Sequence, residues 1–151
     1  DGFVGAQLRV DEWTTGPTVD LDDYWGFTVT VDPQLTMDLT SLVFFGQTQS
    51  SGPEEWELRY SLDGFAAPLA GGLLATTNQA EFIALSNTGL TGSVEFRLYG
   101  FNAGNNTASD HWLLGGMTLR GDISPIPEPG TGVILLVGLM LIGLVRKVTC
   151  R

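Results

Sequence analysis

The chain contains a single histidine, His111, and this limits the catalytic chemistry open to it. A serine or cysteine nucleophile needs a base to take its proton, and a carboxylate normally orients that base. Asp110 directly precedes His111, but neighbours along a strand point to opposite faces of the sheet. We therefore interpret His111 as a histidine of a loop or strand edge, and we predict a protein without catalytic residues that is not an enzyme.

Three closely spaced glutamates suggest a second kind of catalytic chemistry. Glycoside hydrolysis uses two carboxyl groups that face each other across about 5–10 Å. Glu54, Glu55 and Glu57 supply carboxylates, but their spacing does not show that two of them converge on a sugar. We prefer to interpret them as solvated edge residues, and a secreted glycosidase is the function ranked third.

A run of aspartates offers metal chemistry instead. Calcium takes about six to eight oxygen ligands and often draws them from loop carboxylates. Asp20, Asp22 and Asp23 form such a run, although it lacks the glycine and the terminal glutamate of an EF-hand loop. We keep these three residues as candidate ligands of a structural calcium ion and expect no other cofactor.

Four tryptophans suggest carbohydrate binding, because a flat aromatic ring with a polar edge can stack on the apolar face of a sugar. Trp56 and Trp112 stand in alternating patterns and are expected inside the core. Trp13 and Trp25 lie beside loops and are the candidate carbohydrate-binding residues. A carbohydrate-binding module for exopolysaccharide is therefore the second-ranked function.

Charge is unevenly distributed along the 151 residues, whose formal net charge is −10. Residues 1–130 hold all 17 acidic side chains and four of the seven basic ones, which gives −13, while the last 21 residues are +3. An acidic body excludes nucleic acid as a partner, since phosphates require Lys and Arg. One cysteine, Cys150, excludes an intrachain disulfide scaffold.

The basic C-terminus follows a stretch of fourteen residues, 132–145, that has no polar side chain. A bilayer span needs about 20 apolar residues, but a buried helix of a soluble domain would carry a polar stripe. Arg146, Lys147 and Arg151 form the pattern of a cytoplasmic stop. We predict a transmembrane or sorting helix over 132–145, with the body outside and a basic tail, 146–151, inside. A buried helix is the alternative.

Pro127, Glu128 and Pro129, followed by this apolar stretch and the basic terminus, resemble the bacterial PEP-CTERM sorting signal. The resemblance implies recognition and processing by exosortase, an integral-membrane protease-transpeptidase, and makes these three residues a motif read by another enzyme. Prolines hold the segment extended, which keeps its backbone accessible for processing.

The resemblance further implies an exported protein, anchored at the cell envelope or released to the extracellular matrix. Export requires a signal peptide, which Asp1-Gly2-Phe3 does not provide. We expect a leader in the natural precursor. The leading functional prediction is therefore an envelope or matrix protein with a structural or interaction role.

The elements of the body are predicted from period-two alternation, which indicates half-buried strands. The clearest runs alternate Phe27, Val29 and Val31 with threonines; similar runs begin at Trp56 and Val94. Weaker candidates cover 4–10, 37–45, 73–77, 81–85 and 112–120. About eight strands without intervening helices predict an all-β protein, an antiparallel β-sandwich in the form of a jelly roll.

The body carries a weaker resemblance of its own. The S-x-D-G-F run from Ser61 to Phe65 and the final strand with Trp112 resemble β-sandwich ectodomains of PEP-CTERM proteins. The final strand also resembles that of galactose-binding-like jelly rolls, where an aspartate commonly stands at the position of Gly115. We expect a sandwich over 1–122, a proline-rich linker over 123–131, and the helix and tail beyond it.

Overall fold

The computed structural model describes residues 8–49, 51–105, 107 and 110–127. Within these ranges the chain forms eight β-strands and one turn of 3₁₀ helix, with no α-helix. The elements are β1 (Leu8–Asp11), β2 (Trp25–Thr30), β3 (Leu35–Gln49), β4 (Glu55–Tyr60), the 3₁₀ turn η1 (Ser61–Asp63), β5 (Ala70–Leu73), β6 (Gln79–Leu90), β7 (Ser93–Phe101) and β8 (His111–Pro125). The all-β prediction is confirmed, and the helix predicted over 132–145 lies outside the described residues.

The strands form two four-stranded antiparallel sheets that pack on each other as in a β-sandwich. The first sheet has the order β1-β8-β3-β6, and the second has the order β2-β7-β4-β5. In both, alternating residues turn inward, which is the physical basis of the pattern in the sequence. Phe44 of the first sheet meets Trp56 of the second edge to face, with ring centroids 5.0 Å apart.

The longest strands, β3 and β8, lie at the centre of the first sheet and pair from Leu35 with Pro125 to Gln49 with His111. The pairing shifts register between Val43 and Phe45, where β8 carries Gly116 at a φ of 53°. A positive φ is readily adopted only by glycine, so the Gly115-Gly116 pair permits a bulge at this point.

Several strand boundaries differ from the predicted ones, and two of the differences change the assignment of a segment. β8 continues to Pro125, so the first three residues of the predicted linker belong to the sheet. The backbone N–H of Ile126 then donates to the Gln34 carbonyl at 2.9 Å. The strand predicted over 73–77 is instead β5, Ala70–Leu73, because Gly71 and Gly72 pair with β4 although glycine is a weak strand former.

Candidate functional site

Asp110 and His111 have separate partners. The Asp110 carboxylate accepts hydrogen bonds from the Thr107 hydroxyl and, at 3.0 Å, from the Ser51 backbone N–H. These bonds hold the pKa of Asp110 below its usual value. His111 Nε2 lies 2.9 Å from Gln49 Oε1 on β3. Asp110 therefore anchors the loop between β3 and β4, and the two neighbours do not share a hydrogen-bond partner among these contacts.

The candidate calcium ligands shape a turn. Asp20 accepts the Asp22 N–H at its carboxylate, at 3.0 Å, and the Asp23 N–H at its carbonyl, at 3.2 Å. Asp23 Oδ2 accepts the Thr14 N–H at 2.8 Å. Burial raises the pKa of Asp23, and the nearby charges of Asp20 and Glu12 raise it further. The hydrogen bond from the Thr14 N–H acts in the opposite direction but does not cancel this rise. The described residues contain no group of three or more His, Cys, Asp or Glu side chains placed to hold a metal ion.

The three glutamates divide into two sets. Asn102 Nδ2 lies 3.4 Å from Glu54 Oε2 and 3.2 Å from Glu55 Oε1, so the structure brings these two carboxylates to one amide. Glu57 instead forms an ion pair with Arg59 at 2.8 Å. Glu54 and Glu55 thereby link the start of β4 to the end of β7.

Glu54 also lines a cavity of about 330 Å³ between the β3–β4 and β5–β6 connections, which we name the loop-end cavity. Thr48, Ser51, Leu73 and Thr76 line it as well, so hydroxyl groups and an apolar side chain face the same space. Such a mixture of a few polar groups with apolar surface is typical of small-molecule sites. No pattern in the sequence predicts this cavity, because its lining comes from segments that are distant along the chain.

The candidate carbohydrate-binding tryptophans do not form an exposed platform. Trp13 is 1% exposed, with its Nε1 donating to the Val10 carbonyl at 3.0 Å and its ring 5.7 Å from that of Trp112. The ring of Trp13 is therefore not accessible for stacking on a sugar, because the segment after β1 turns it into the core. Trp25 is half-buried and lines a cavity of about 170 Å³ beside Phe44.

The outward face of the second sheet carries a cluster that the sequence did not predict. The guanidinium carbon of Arg97 lies 4.0 Å from the ring centroid of Tyr24 and 3.8 Å from that of Phe65. Arg97 also donates to Glu95 at 2.8 Å, which raises its pKa and keeps it protonated. Tyr99 points outward yet is 0% exposed, and Tyr24 packs against its ring. We name this side the covered face.

The S-x-D-G-F run builds that cover. Ser61 Oγ accepts the Glu95 N–H at 3.0 Å, and the Asp63 carboxylate accepts the N–H groups of Ala66 and Ala67. Gly64 has a φ of 70° and ends the 3₁₀ turn. The chain then places the Phe65 ring on Arg97. The motif therefore has a structural explanation: it folds a loop over the sheet.

Among the described residues, the outward face of the first sheet carries apolar side chains that are exposed or half-buried, and we name it the open face. They include Val43, Ala80, Phe82, Ala84 and Leu113. Phe82 is 71% exposed. Charged groups on this side of the described strands lie toward the ends, with Arg9 and Asp11 paired at 3.6 Å. The face is a neutral apolar patch on an acidic body, the kind of surface that marks interaction sites.

The sorting motif and its flanks lie mostly beyond the described residues. Pro127 is described and exposed, whereas Glu128, Pro129, Arg146, Lys147 and Arg151 lie outside. In the described ranges, no helix has the length and hydrophobicity needed to cross a bilayer. Comparison with protein-family models, curated proteins and solved structures finds no match for the chain.

Proposed function

We propose that this protein is an exported structural or interaction protein, displayed at the cell envelope or released to the extracellular matrix after processing at its C-terminus. One observation carries the proposal. In the described residues, the C-terminal hydrogen bond of the sandwich joins Ile126 to Gln34, and Pro127 of the Pro-Glu-Pro motif follows directly. A processing enzyme that reads the motif would meet it at the point where the β-sheet hydrogen bonding ends.

In this proposal the C-terminal segment determines where the domain is displayed and how it is oriented. Extended prolines carry the motif away from β8, the apolar stretch enters the membrane, and the basic residues stay on the cytoplasmic side. The charge of −13 on residues 1–130 keeps the displayed domain soluble through self-repulsion. The strand orders also support the jelly-roll assignment, since successive strands alternate between the sheets except at the β4–β5 hairpin.

The proposal assigns no reaction to the protein. Three of the groups that could act as acid or base contact neighbouring elements: His111 contacts Gln49, and Glu54 and Glu55 contact Asn102. Those contacts support a structural role for each.

Substitution of the motif in cells tests the proposal. In the full precursor, Pro127→Ala/Glu128→Ala/Pro129→Ala should abolish C-terminal processing and leave the chain in the membrane fraction. Pro17→Ala, at an exposed proline of the body, is the matched control and should be processed normally. Unchanged processing of the triple variant would overturn the role of the motif.

A carbohydrate-binding module is the second candidate, and the loop-end cavity is the observation that favours it. Its volume of about 330 Å³ lies in the range of small-ligand sites, and Glu54, Ser51 and Thr76 offer hydrogen-bonding groups beside the apolar Leu73. A glycan array with exopolysaccharide fragments tests this function. Binding should weaken in Glu54→Ala and persist in Glu12→Gln, an exposed acid elsewhere; no binding by the native protein would reject it.

A further inference from the structure

Of the strands that the structure describes, β6 forms one edge of the first sheet and pairs only with β3. It has 12 residues, whereas the edge strands β1 and β5 have four each and β2 has six. An edge strand presents a row of backbone N–H and C=O groups that another strand can pair with. Among the described elements, no strand occupies that side of β6.

The first half of β6 lacks most of the devices that usually protect an edge. Proteins block edges with lysine, proline, bulges, inward-pointing charges or very short strands. Residues 79–85 contain no lysine, proline or glycine, and their one charged residue, Glu81, lies on the inward face with Ile83 and Leu85. Pairing with β3 is regular from Gln79 to Ala84, and the register shifts only beyond that point. This half is therefore a regular, nearly neutral edge.

We propose that two copies of the chain pair antiparallel along residues 79–85, which joins their first sheets into one continuous sheet. The backbone edge selects the chemistry of the occupant: an extended peptide satisfies the row of donors and acceptors, and a sugar or a lipid tail does not. The inference goes beyond the proposed function and does not depend on sorting.

The charge pattern along the edge fits a second copy as that peptide. Two bodies of −13 repel over most of their surfaces, but Ala80, Phe82 and Ala84 bring no charge to the open face beside the edge. In two-fold registers centred on Phe82 or Ile83, Glu81 lies opposite Ile83 or Leu85 of the other copy and not opposite Glu81. The pairing is thus self-complementary, as a two-fold interface requires.

Sedimentation of the full chain in detergent micelles tests the pairing. The native protein should be a dimer. Ala80→Glu/Ala84→Glu places like charges along the edge and should raise the dimer dissociation constant more than about tenfold. Phe82→Glu, one change at an exposed position, should act in the same direction and provides a second variant.

The matched control is Thr40→Glu/Thr118→Glu, which adds the same charge at exposed positions of the central strands β3 and β8. This control should remain dimeric. Dissociation of this control would indicate that the copies stack through the open face, and it would overturn edge pairing. A monomeric native protein would also overturn edge pairing, as would a dimer that persists in both edge variants.

Amide hydrogen exchange supplies an independent measurement. Residues 79–85 should gain protection as the native protein dimerises and lose it in Ala80→Glu/Ala84→Glu, while β7 stays protected in both. Protection of the outer edge of β6 in a monomer would show that another part of the chain covers it, and this result would reject the proposal.

Discussion

At the scale of single residues, Arg97 shows how an acidic, lysine-free body uses one of its few cations. The guanidinium is held between the rings of Tyr24 and Phe65 and bonded to Glu95. A planar cation suits this arrangement because it stacks on aromatic faces while its edge donates hydrogen bonds. The arginine thereby joins two loops to the sheet beneath them.

Removal of this side chain should destabilise the fold. We expect Arg97→Ala to lower the free energy of unfolding by about 1–2 kcal/mol, the sum of two ring contacts and one partly covered ion pair. Arg9→Ala is the control, since Arg9 forms a more exposed pair with Asp11 and should cost less than about 0.5 kcal/mol. Urea unfolding measures both, and equal losses would contradict the assignment.

Asp110 and Asp23 should respond to pH in opposite directions. The pKa of folded Asp110 is below 3.8, so its charge stabilises the fold at neutral pH, and this contribution is lost as the pH falls through the folded pKa. Asp110→Asn should therefore be less stable than the native protein at pH 7, with the difference shrinking below about pH 4.

For Asp23 the change of stability with pH should have the opposite sign. Its folded pKa is above 3.8, so ionisation costs stability as the pH rises through that pKa. Asp23→Asn, whose amide oxygen can still accept the Thr14 N–H, should be more stable than the native protein at pH 7 and should lose this advantage in acid. Unfolding curves between about pH 3 and 7 test both variants; parallel pH profiles would refute the two assignments.

The tryptophans show which residue-level features the sequence could predict. Trp56 and Trp112 stand in alternating strands, and the prediction that they are buried is confirmed. Trp13 lies between strands, where alternation carries no information about direction, and its burial depends on the path of the chain after β1. The Arg97 cluster could not be predicted for a similar reason, because its rings belong to loops that come next to β7 only in the folded chain.

At the scale of elements, strand existence was predictable and strand length was not. Alternation marks where one face is buried, so β2, β4 and β7 were found close to their observed bounds. β3 and β8 extend to 15 residues because each is the other's partner, a relation between distant segments. β5 was misplaced since its Gly71-Gly72 pair has no side chains to alternate.

The turn that carries the S-x-D-G-F motif should depend on Gly64. Its φ of 70° is strained for residues with a Cβ, although no atom lies within 4 Å of the place a Cβ would occupy. Gly64→Ala should therefore cost about 1 kcal/mol through the backbone alone. Gly16→Ala, at an ordinary φ with ordinary contacts, should change stability by less than about 0.5 kcal/mol. Thermal unfolding that ranks the two in the opposite order would disprove this explanation.

At the scale of the whole molecule, acidity and hydrophobicity are separated along the chain. The sandwich holds most of the carboxylates, whereas the stretch 132–145 and the basic residues after it hold none. Within the described part of the chain the two faces of the sandwich differ as well, since loops cover the second sheet and the first keeps exposed apolar side chains such as Phe82. We therefore propose that the molecule has three parts: a displayed domain, an open sheet edge and a tail that positions both.

The most direct test of the central claim, export with sorting through the C-terminus, is the intact mass of the mature protein isolated from its native cells. We predict a chain that ends near Pro129, lacks Cys150 and is found in the envelope or the medium. A mature chain that still ends at Arg151 would contradict processing at the motif, and its recovery from the cytoplasm would contradict export itself.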